Sequence, residues 1–255
     1  MFKRFSQKEK SPRSYAMPED QLVYGIGDVH GCFNAMLNLL DKIELDRAAR
    51  PEAKATVVFL GDLIDRGPAS KEVIEFLRDY NPPWADLVFL KGNHEEVMLT
   101  VMEGNLGAMR SWLGFGGKSC ARSYGIENLG QLEISPENIM MSLQQKVPKS
   151  HMDFLRSFEN FYKFGDYLLV HAGIMPKVPL EAQTSQDMRW IREKFISYKK
   201  PHEVMVVHGH TVVEAAEQLS NRIPVDTGAH KGGPLTAVCL AGGQVSFLAS
   251  EPLGH

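Results

Sequence analysis

Short apolar runs alternate with segments of helical periodicity in the first hundred residues of the chain. The apolar runs span Leu22 to Ile26, Thr56 to Leu60 and Leu87 to Leu90. The segments with apolar residues at intervals of three and four span Phe33 to Ile43, Lys71 to Tyr80 and Val97 to Val101. Strands that alternate with helices in this way predict an α/β fold with a largely parallel sheet.

The second half of the chain is richer in runs of strand length. These runs span Tyr167 to Val170, Val204 to Val207, Leu235 to Leu240 and Val245 to Leu248. The pair Gly242-Gly243 separates the last two runs and predicts a hairpin between them. The second half of the chain is therefore expected to contain more β structure than the first.

The chain reads as a single domain, because no low-complexity linker or sequence repeat interrupts it after residue 20. We expect this domain to span residues 21–255 and to contain a helical insertion near residues 104–160. Residues 1–20 lack a periodic apolar pattern, so we expect them to form a mobile N-terminal tail.

Composition and charge restrict the partners of the protein more than its fold. The chain has 255 residues, of which 44% are hydrophobic and 23% are charged, so it can bury a large core. Its formal net charge of -3 gives no general attraction to nucleic acid or to an anionic membrane. We expect neither partner, and any phosphate must bind at a local site.

The cysteines and the hydropathy pattern indicate a reducing compartment. Cys32, Cys120 and Cys239 are far apart, odd in number and without a CxxC pair, which argues against a disulfide framework and a zinc ribbon. No segment is long and apolar enough to span a bilayer or to act as the core of a signal peptide. We therefore expect a cytoplasmic protein.

Side chains with metal-binding or acid–base chemistry follow several predicted strands directly. They are Asp28, His30, Asp62, Asn93, His94, His171 and His210. Ligands of open α/β sheets bind at the carboxyl ends of the strands, so we expect these side chains to converge. Carboxylate, amide and imidazole groups suit divalent transition metals better than calcium. The pattern predicts a metal site.

The individual motifs differ in how strongly they support this prediction. Asp28 and His30 point the same way in an extended loop, although an ordinary surface turn explains the pentapeptide Gly27 to Gly31 about equally well. The octapeptide Gly61 to Pro68 also has a purely structural explanation, in which an aspartate caps a helix and a surface ion pair follows. This explanation is common for a single aspartate but less natural for the entire octapeptide.

The second and third motifs contain groups suited to phosphoryl chemistry. Asp62 suits a bridging position between two divalent ions, and Arg66 suits a two-pronged contact with phosphate oxygens. Asn93 either caps a helix or ligates a metal. His94 suits protonation of a leaving alkoxide, provided that a carboxylate such as Asp65 keeps the imidazole charged.

The ordered motifs GDVHG, GDLIDRG and GNHE, followed by HAG and GHT, resemble the phosphoprotein phosphatase family of metallophosphoesterases. The bacterial serine/threonine protein phosphatases are the most similar subgroup, and the likeness spans residues 22 to about 240. The resemblance implies a calcineurin-like α/β fold in which helices flank a central β-sandwich.

The resemblance also implies a role for each candidate residue. One metal is assigned to Asp28, His30 and Asp62, and the second to Asp62, Asn93, His171 and His210. His94 matches the general acid, Asp65 its carboxylate partner and Arg66 a phosphate-binding arginine. A second such arginine is matched by Arg192, with Arg189 as the nearby alternative. His208 is left out of the ligand set, and Asp226 is interpreted as structural.

The implied activity is the hydrolysis of phosphate monoesters by attack of a metal-bridging hydroxide. The expected cofactors are two divalent ions, Mn²⁺ first, with Fe and Zn as alternatives. The expected substrate is a phosphorylated protein, with phosphoserine or phosphothreonine, or a small phosphoester. The segment Gly116 to Ser119 fails the ATP-binding P-loop pattern because Trp112 stands at the position of its first glycine.

Two other functions remain open. Symmetrical dinucleoside tetraphosphatases are related enzymes that share the metal-binding set. They commonly lack the second aspartate of GDxxDRG and have GNHD in place of GNHE. This chain has Asp65 and Glu95, which favours the protein phosphatase. A catalytically inactive scaffold is disfavoured because every expected ligand is present.

Overall fold

The computed structural model describes residues 15–51, 53–127 and 135–251. The strands are β1 (Gln21–Ile26), β2 (Lys54–Phe59), β3 (Ala85–Phe89), β4 (Phe161–Phe164), β5 (Tyr167–Val170), β6 (Met205–His208), β7 (Arg222–Pro224), β8 (Thr236–Ala241) and β9 (Gln244–Ala249). The α-helices are α1 (Phe33–Ala48), α2 (Ser70–Asp79), α3 (Asn93–Met102), α4 (Leu106–Trp112), α5 (Lys118–Ser123), α6 (Pro136–Lys146), α7 (Lys149–Arg156), α8 (Ser185–Trp190) and α9 (Glu193–Ile196).

Two mixed β-sheets form the centre of the molecule. The first has the strand order β3-β2-β1-β8-β9, in which β1, β2 and β3 are parallel and β8 and β9 are antiparallel. The second has the order β4-β5-β6-β7, in which only β4 is antiparallel. The predicted α/β sandwich is confirmed, and the antiparallel strands make each sheet less uniformly parallel than the alternation indicated.

Alternate side chains of each strand face different layers, as the period of a strand requires. On the first sheet, Tyr24 and Val57 pack in the layer that contains α1 and α2. Val23 faces the other way and packs between the sheets, together with Leu169 and Val207 of the second sheet. Burial of each such aliphatic side chain contributes about 1.5–3 kcal/mol, so apolar packing holds the sheets face to face.

Helices α4 to α7 lie in the segment for which a helical insertion is predicted, within its described residues. The predicted tail lies outside the described residues up to position 14. Beyond it, the backbone N–H of Ala16 donates to the Asp166 carboxylate at 3.0 Å, and Met17 is buried. Packed structure thus starts a few residues before β1. Within the ranges described, no helix combines the length and apolar content needed to cross a membrane.

The loops after β1, β2, β5 and β6 meet at one edge of the sandwich. The backbone N–H of His30 donates to Asp62 O at 2.8 Å, which joins the first two loops. The N–H of Gly209 donates to His171 O at 2.8 Å, which joins the two loops of the second sheet. The site described below is built on this edge, as the strand-end rule predicts.

Candidate metal centre and active site

The backbone of the site is strained at five of its candidate residues. Among the described residues, positive φ values outside glycine occur at His30 (45°), Asp62 (51°), Asp65 (73°), Arg66 (64°), His210 (62°) and Lys177 (66°). The left-handed conformation costs about 1–2 kcal/mol for each residue with a Cβ, so the surrounding contacts must stabilise it. Only Lys177 is not a candidate site residue.

Glu95 ties the second loop to the third. Its buried carboxylate accepts hydrogen bonds from the backbone N–H groups of Asp62 at 2.9 Å, Leu63 at 2.8 Å and Gly92 at 2.9 Å. These three bonds fix the strained backbone of Asp62 against the start of α3. Glu95 stands at the third position of that helix, and a glutamate there that reaches back beyond the helix start is a known capping arrangement.

One group of candidate ligands converges on Nε2 of His171. This atom lies 3.0 Å from Asn93 Oδ1, 3.2 Å from His210 Nδ1 and 3.4 Å from Asp62 Oδ2. The other ring nitrogen of His171 donates to Leu60 O at 2.9 Å, which directs Nε2 into the site. Four groups that can accept a proton or a cation therefore face one point.

The pKa values of His171 and Asp62 show that this group of side chains stabilises positive charge. Burial lowers the pKa of His171, but the adjacent Asp62 outweighs it and raises the pKa to about 9. Burial also opposes ionisation of Asp62, yet His171 and His94 hold its pKa well below the usual range. The protein thus keeps a negative charge on Asp62 and favours a cation beside it.

A second group lies on the other side of Asp62. His30 Nε2 is 3.7 Å from Asp62 Oδ2 and 3.8 Å from Asp28 Oδ2, and it has no hydrogen-bond partner although it is buried. His30 Nδ1 donates to Ile64 O at 2.8 Å, and burial lowers the pKa of the ring. The imidazole is therefore neutral, with a free lone pair aimed between two carboxylates.

His94 lies close to this second group but is arranged as an acid. A potential ligand atom of His94 lies within 4.8 Å of ligand atoms of His30 and Asp62. The family resemblance instead assigns Asp28, together with His30 and Asp62, to this metal. His94 Nδ1 donates to Asp65 Oδ2 at 2.6 Å. Burial lowers the pKa of His94, but the carboxylates of Asp62 and Asp65 outweigh it and raise the pKa. With its Nδ1–H bonded to Asp65, His94 is arranged to donate a proton from its other ring nitrogen.

These side chains lie together at one edge of the sandwich, and a comparison with known proteins identifies the family. The sequence profile of the family described as calcineurin-like phosphoesterase matches residues 22–240. The chain belongs to this family.

Relatives of this calcineurin-like phosphoesterase are named for different substrates. A symmetrical bis(5'-nucleosyl)-tetraphosphatase of Nitrosospira multiformis is 27% identical over 62% of this chain and 46% of its own length. The asymmetrical bis(5'-nucleosyl)-tetraphosphatase PrpE of Anoxybacillus flavithermus is 26% identical over 84% of this chain and 88% of its own. Serine/threonine-protein phosphatase 1 of Salmonella typhimurium is 29% identical over 84% and 89%.

The chain therefore spans less than half the length of the symmetrical tetraphosphatase that it matches. A crystal structure of a putative diadenosine tetraphosphatase has the same fold, with a TM-score of 0.63, 19% identity, and coverage of 93% of this chain and 97% of that one.

Calcineurin-like phosphoesterases are metal-dependent, and the residues present here fit divalent ions. The buried, unpartnered Nε2 of His30 and the acceptor groups around His171 Nε2 are arrangements that a cation stabilises. Burial and the neighbouring Asp226 raise the pKa of Asp28. A bound cation would reverse that shift.

The two arginines on either side of Trp190, Arg189 and Arg192, have different environments. Arg189 is paired, with Nη1 2.8 Å from Glu96 Oε1 and Nη2 2.6 Å from Asn160 Oδ1. Arg192 is exposed, and its positive charge lowers the pKa of nearby His210 after the larger effects of burial and His171. The role of Arg192 in binding phosphate stays a prediction, and the structure places this arginine at the surface near His210.

Sequence reasoning missed His230, whose ring lies beside two candidate residues. Its Nε2 is 3.3 Å from Arg66 Nη1, and its ring meets that of His30 edge-on with centroids 4.7 Å apart. Burial and the charge of Arg66 lower the pKa of His230 to about 4. A neutral imidazole accepts the Arg66 N–H and so orients the guanidinium. The only signal in the sequence was a histidine within the Gly-rich segment 228–233.

Asp226 and His208 are the two residues that the prediction placed outside the reaction. Asp226 is buried, with Oδ1 accepting the N–H of Gly228 at 3.0 Å and Oδ2 unpartnered. His208 is buried with its ring against Phe195, at a centroid distance of 5.0 Å. Its ring packs in the outer layer of the second sheet, whereas Asp226 lies close enough to influence Asp28.

Proposed function

We propose that this chain is a metal-dependent phosphatase that hydrolyses phosphate monoesters, with phosphoserine and phosphothreonine of proteins as its substrates. The observation that carries the proposal is the buried pair of His94 and Asp65, joined at 2.6 Å. An alkoxide is a poor leaving group, and its departure needs a proton in the transition state. His94, kept charged by Asp62 and Asp65, supplies that proton.

The remaining site residues bind and orient the phosphoryl group. Asp28, His30 and Asp62 would hold one divalent ion, and Asp62, Asn93, His171 and His210 the other, with Mn²⁺ proposed ahead of Fe and Zn. When bound, the ions supply activation of water and neutralisation of phosphoryl charge. Arg66 and Arg192 add hydrogen bonds to the equatorial oxygens, where charge develops.

The serine/threonine phosphatase of Salmonella, matched over most of both chains, supports this choice. The main alternative is hydrolysis of dinucleoside tetraphosphates, which the names of the other relatives favour. A phosphoanhydride has a better leaving group than an alkyl ester, so it depends less on the acid. The acid pair therefore favours the monoester.

We also propose a cytoplasmic location and a phosphorylated protein or small phosphoester as the partner. The three cysteines are buried and form no disulfide, which supports a reducing compartment.

The proposal is tested by Mn²⁺-supported hydrolysis of a phosphoserine peptide and of diadenosine tetraphosphate by the wild type and His94→Asn. We expect faster turnover of the peptide, and a loss on the order of 10²–10⁴-fold in His94→Asn, the range for one acid–base group. The matched control is His151→Asn, because His151 is also buried but contacts Tyr124 in the insertion. Preference for the dinucleotide would transfer the assignment to a tetraphosphatase, and inactivity of the metal-loaded wild type on both substrates would indicate a scaffold.

A further inference from the structure

Trp112 connects the helical insertion to the acid pair. It is the last residue of α4 and is completely buried. Its indole Nε1–H donates to Asp65 Oδ2 at 2.8 Å, and the same oxygen accepts the Nδ1–H of His94 at 2.6 Å. The other carboxylate oxygen of Asp65 has no hydrogen-bond partner. The orientation of this carboxylate therefore depends on two donors, one from α3 and one from the insertion.

The turn after Trp112 also holds the backbone of the loop that carries Asp65. Gly116 O accepts the N–H of Arg66 at 3.1 Å, while Ser70 Oγ accepts the N–H of Asp65 at 2.9 Å. Asp65 and Arg66 are consecutive residues in the left-handed conformation, at φ 73° and 64°. The insertion thus stabilises both the side chain and the backbone of a strained dipeptide.

We propose that Trp112 is a positioning residue of the reaction, which holds Asp65 in the orientation that aligns His94 with the leaving group. This inference rests on the function proposed above and deepens it. It makes the insertion part of the reaction machinery, because the indole comes from α4 and donates directly to the carboxylate of the acid pair.

The energetic argument concerns a buried charge. Burial raises the pKa of Asp65, and the hydrogen bonds from His94 and Trp112 act in the opposite direction. Without the indole, the carboxylate keeps a single donor and can rotate about its Cβ–Cγ bond, so the ring of His94 loses its fixed direction. A hydrogen bond to a charged group contributes about 1.5–3 kcal/mol, so this effect is measurable.

The test is the leaving-group dependence of Trp112→Phe, which keeps an aromatic ring beside Gly117 but removes the donor. Proton donation matters for a serine alkoxide and little for p-nitrophenolate. We expect kcat for a phosphoserine peptide to fall on the order of tenfold or more, whereas kcat for p-nitrophenyl phosphate falls less than about twofold. Metal content should be unchanged. Trp84→Phe is the matched control, because Trp84 lies directly before the start of β3, at the end opposite the site.

A double-mutant cycle with Asp65→Asn separates positioning from packing. If Trp112 acts through Asp65, Trp112→Phe has little further effect on the peptide reaction once Asp65 is Asn. Equal losses on both substrates, or full additivity with Asp65→Asn, would overturn the inference. A metal-loaded wild type that hydrolyses neither substrate would instead overturn the proposed function and the inference with it.

A second measurement does not need Trp112→Phe to fold. The chain has three tryptophans, so ¹⁵N-labelling gives three indole N–H resonances, which Trp84→Phe and Trp190→Phe assign. Asp65→Asn should shift the Trp112 resonance and spare the other two. An unchanged Trp112 resonance would show that the indole does not bind this carboxylate in solution.

Discussion

At the scale of single residues, the two arginines near the end of α8 show how partners determine role. Arg189 is largely enclosed and forms an ion pair with Glu96, which Trp190 also contacts through its indole at 2.6 Å. Arg192 is exposed and close enough to lower the pKa of His210. Arg189 therefore connects the end of α8 to Glu96 of α3, whereas Arg192 is exposed to solvent and accessible to a ligand.

We therefore predict that substitution of Arg192 affects catalysis, whereas substitution of Arg189 affects stability. Arg192→Ala should weaken substrate binding or turnover, lowering kcat/KM on the order of tenfold for a lost charged hydrogen bond, with the melting temperature unchanged. Arg189→Ala should lower the free energy of unfolding by about 1 kcal/mol, because Glu96 loses a partner. Steady-state kinetics and thermal melts measure both. A stability loss in Arg192→Ala without a kinetic effect would contradict this division.

The sequence was informative about residues whose chemistry is rare at strand ends. Asp28, Asp62 and His171 could be predicted because acidic and imidazole groups directly follow apolar runs. Trp112 and His230 could not, because their partners lie 47 and 164 residues away in the chain. Nothing in their local patterns distinguishes an indole or imidazole in the site from one in the core.

At the scale of elements, the turn over Leu113–Gly117 joins α4 to α5 and carries the backbone carbonyl that binds Arg66. Phe115 of this turn meets the His94 ring edge-on, with centroids 4.8 Å apart. Gly117 lies so close to the Trp112 ring that an added Cβ would overlap it, whereas a Cβ at Gly114 would meet no atom within 4 Å. The two glycines thus form a matched pair.

We predict that Gly117→Ala lowers both stability and activity, because the new methyl group displaces the Trp112 indole from Asp65. Overpacking of this kind typically costs about 1–3 kcal/mol. Gly114→Ala should be neutral within about 0.5 kcal/mol. Urea unfolding and phosphoserine-peptide turnover check both variants, and similar behaviour of the two would contradict the proposed contact.

Most elements could be predicted from periodicity, and the exceptions are short. Strand β4 has four residues, and it was not predicted because it follows α7 without a long apolar run. The antiparallel direction of β8 was also not predicted, because strand direction depends on the connection through space rather than on the run of residues itself.

At the scale of the whole molecule, buried histidines link stability to pH. Burial lowers the pKa of His208 from 6.5 to about 4. As the pH falls between these values, the unfolded chain binds the proton before the folded chain does, so the free energy of unfolding decreases. The stabilising effect of a neutral His208 is complete above about pH 6.5.

We predict that the free energy of unfolding falls by about 3 kcal/mol between pH 6.5 and pH 4 through His208 alone, since one pKa unit corresponds to about 1.4 kcal/mol. In His208→Gln this contribution is absent, so the difference between wild type and variant isolates it from the other titrating groups. Urea unfolding at a series of pH values gives both curves. Parallel curves would show that His208 is not held neutral in the folded state.

The candidate metal ligands are divided between the two sheets. Asp28, His30, Asp62 and Asn93 follow strands of the first sheet, whereas His171 and His210 follow β5 and β6 of the second. During synthesis on the ribosome, the candidate ligands that follow strands of the first sheet emerge long before residue 210 leaves the exit tunnel. Full metal loading would therefore follow translation of the second sheet, and the ions would join a part of the chain that is made early, up to Asn93, to a part that is made later, from His171 onward.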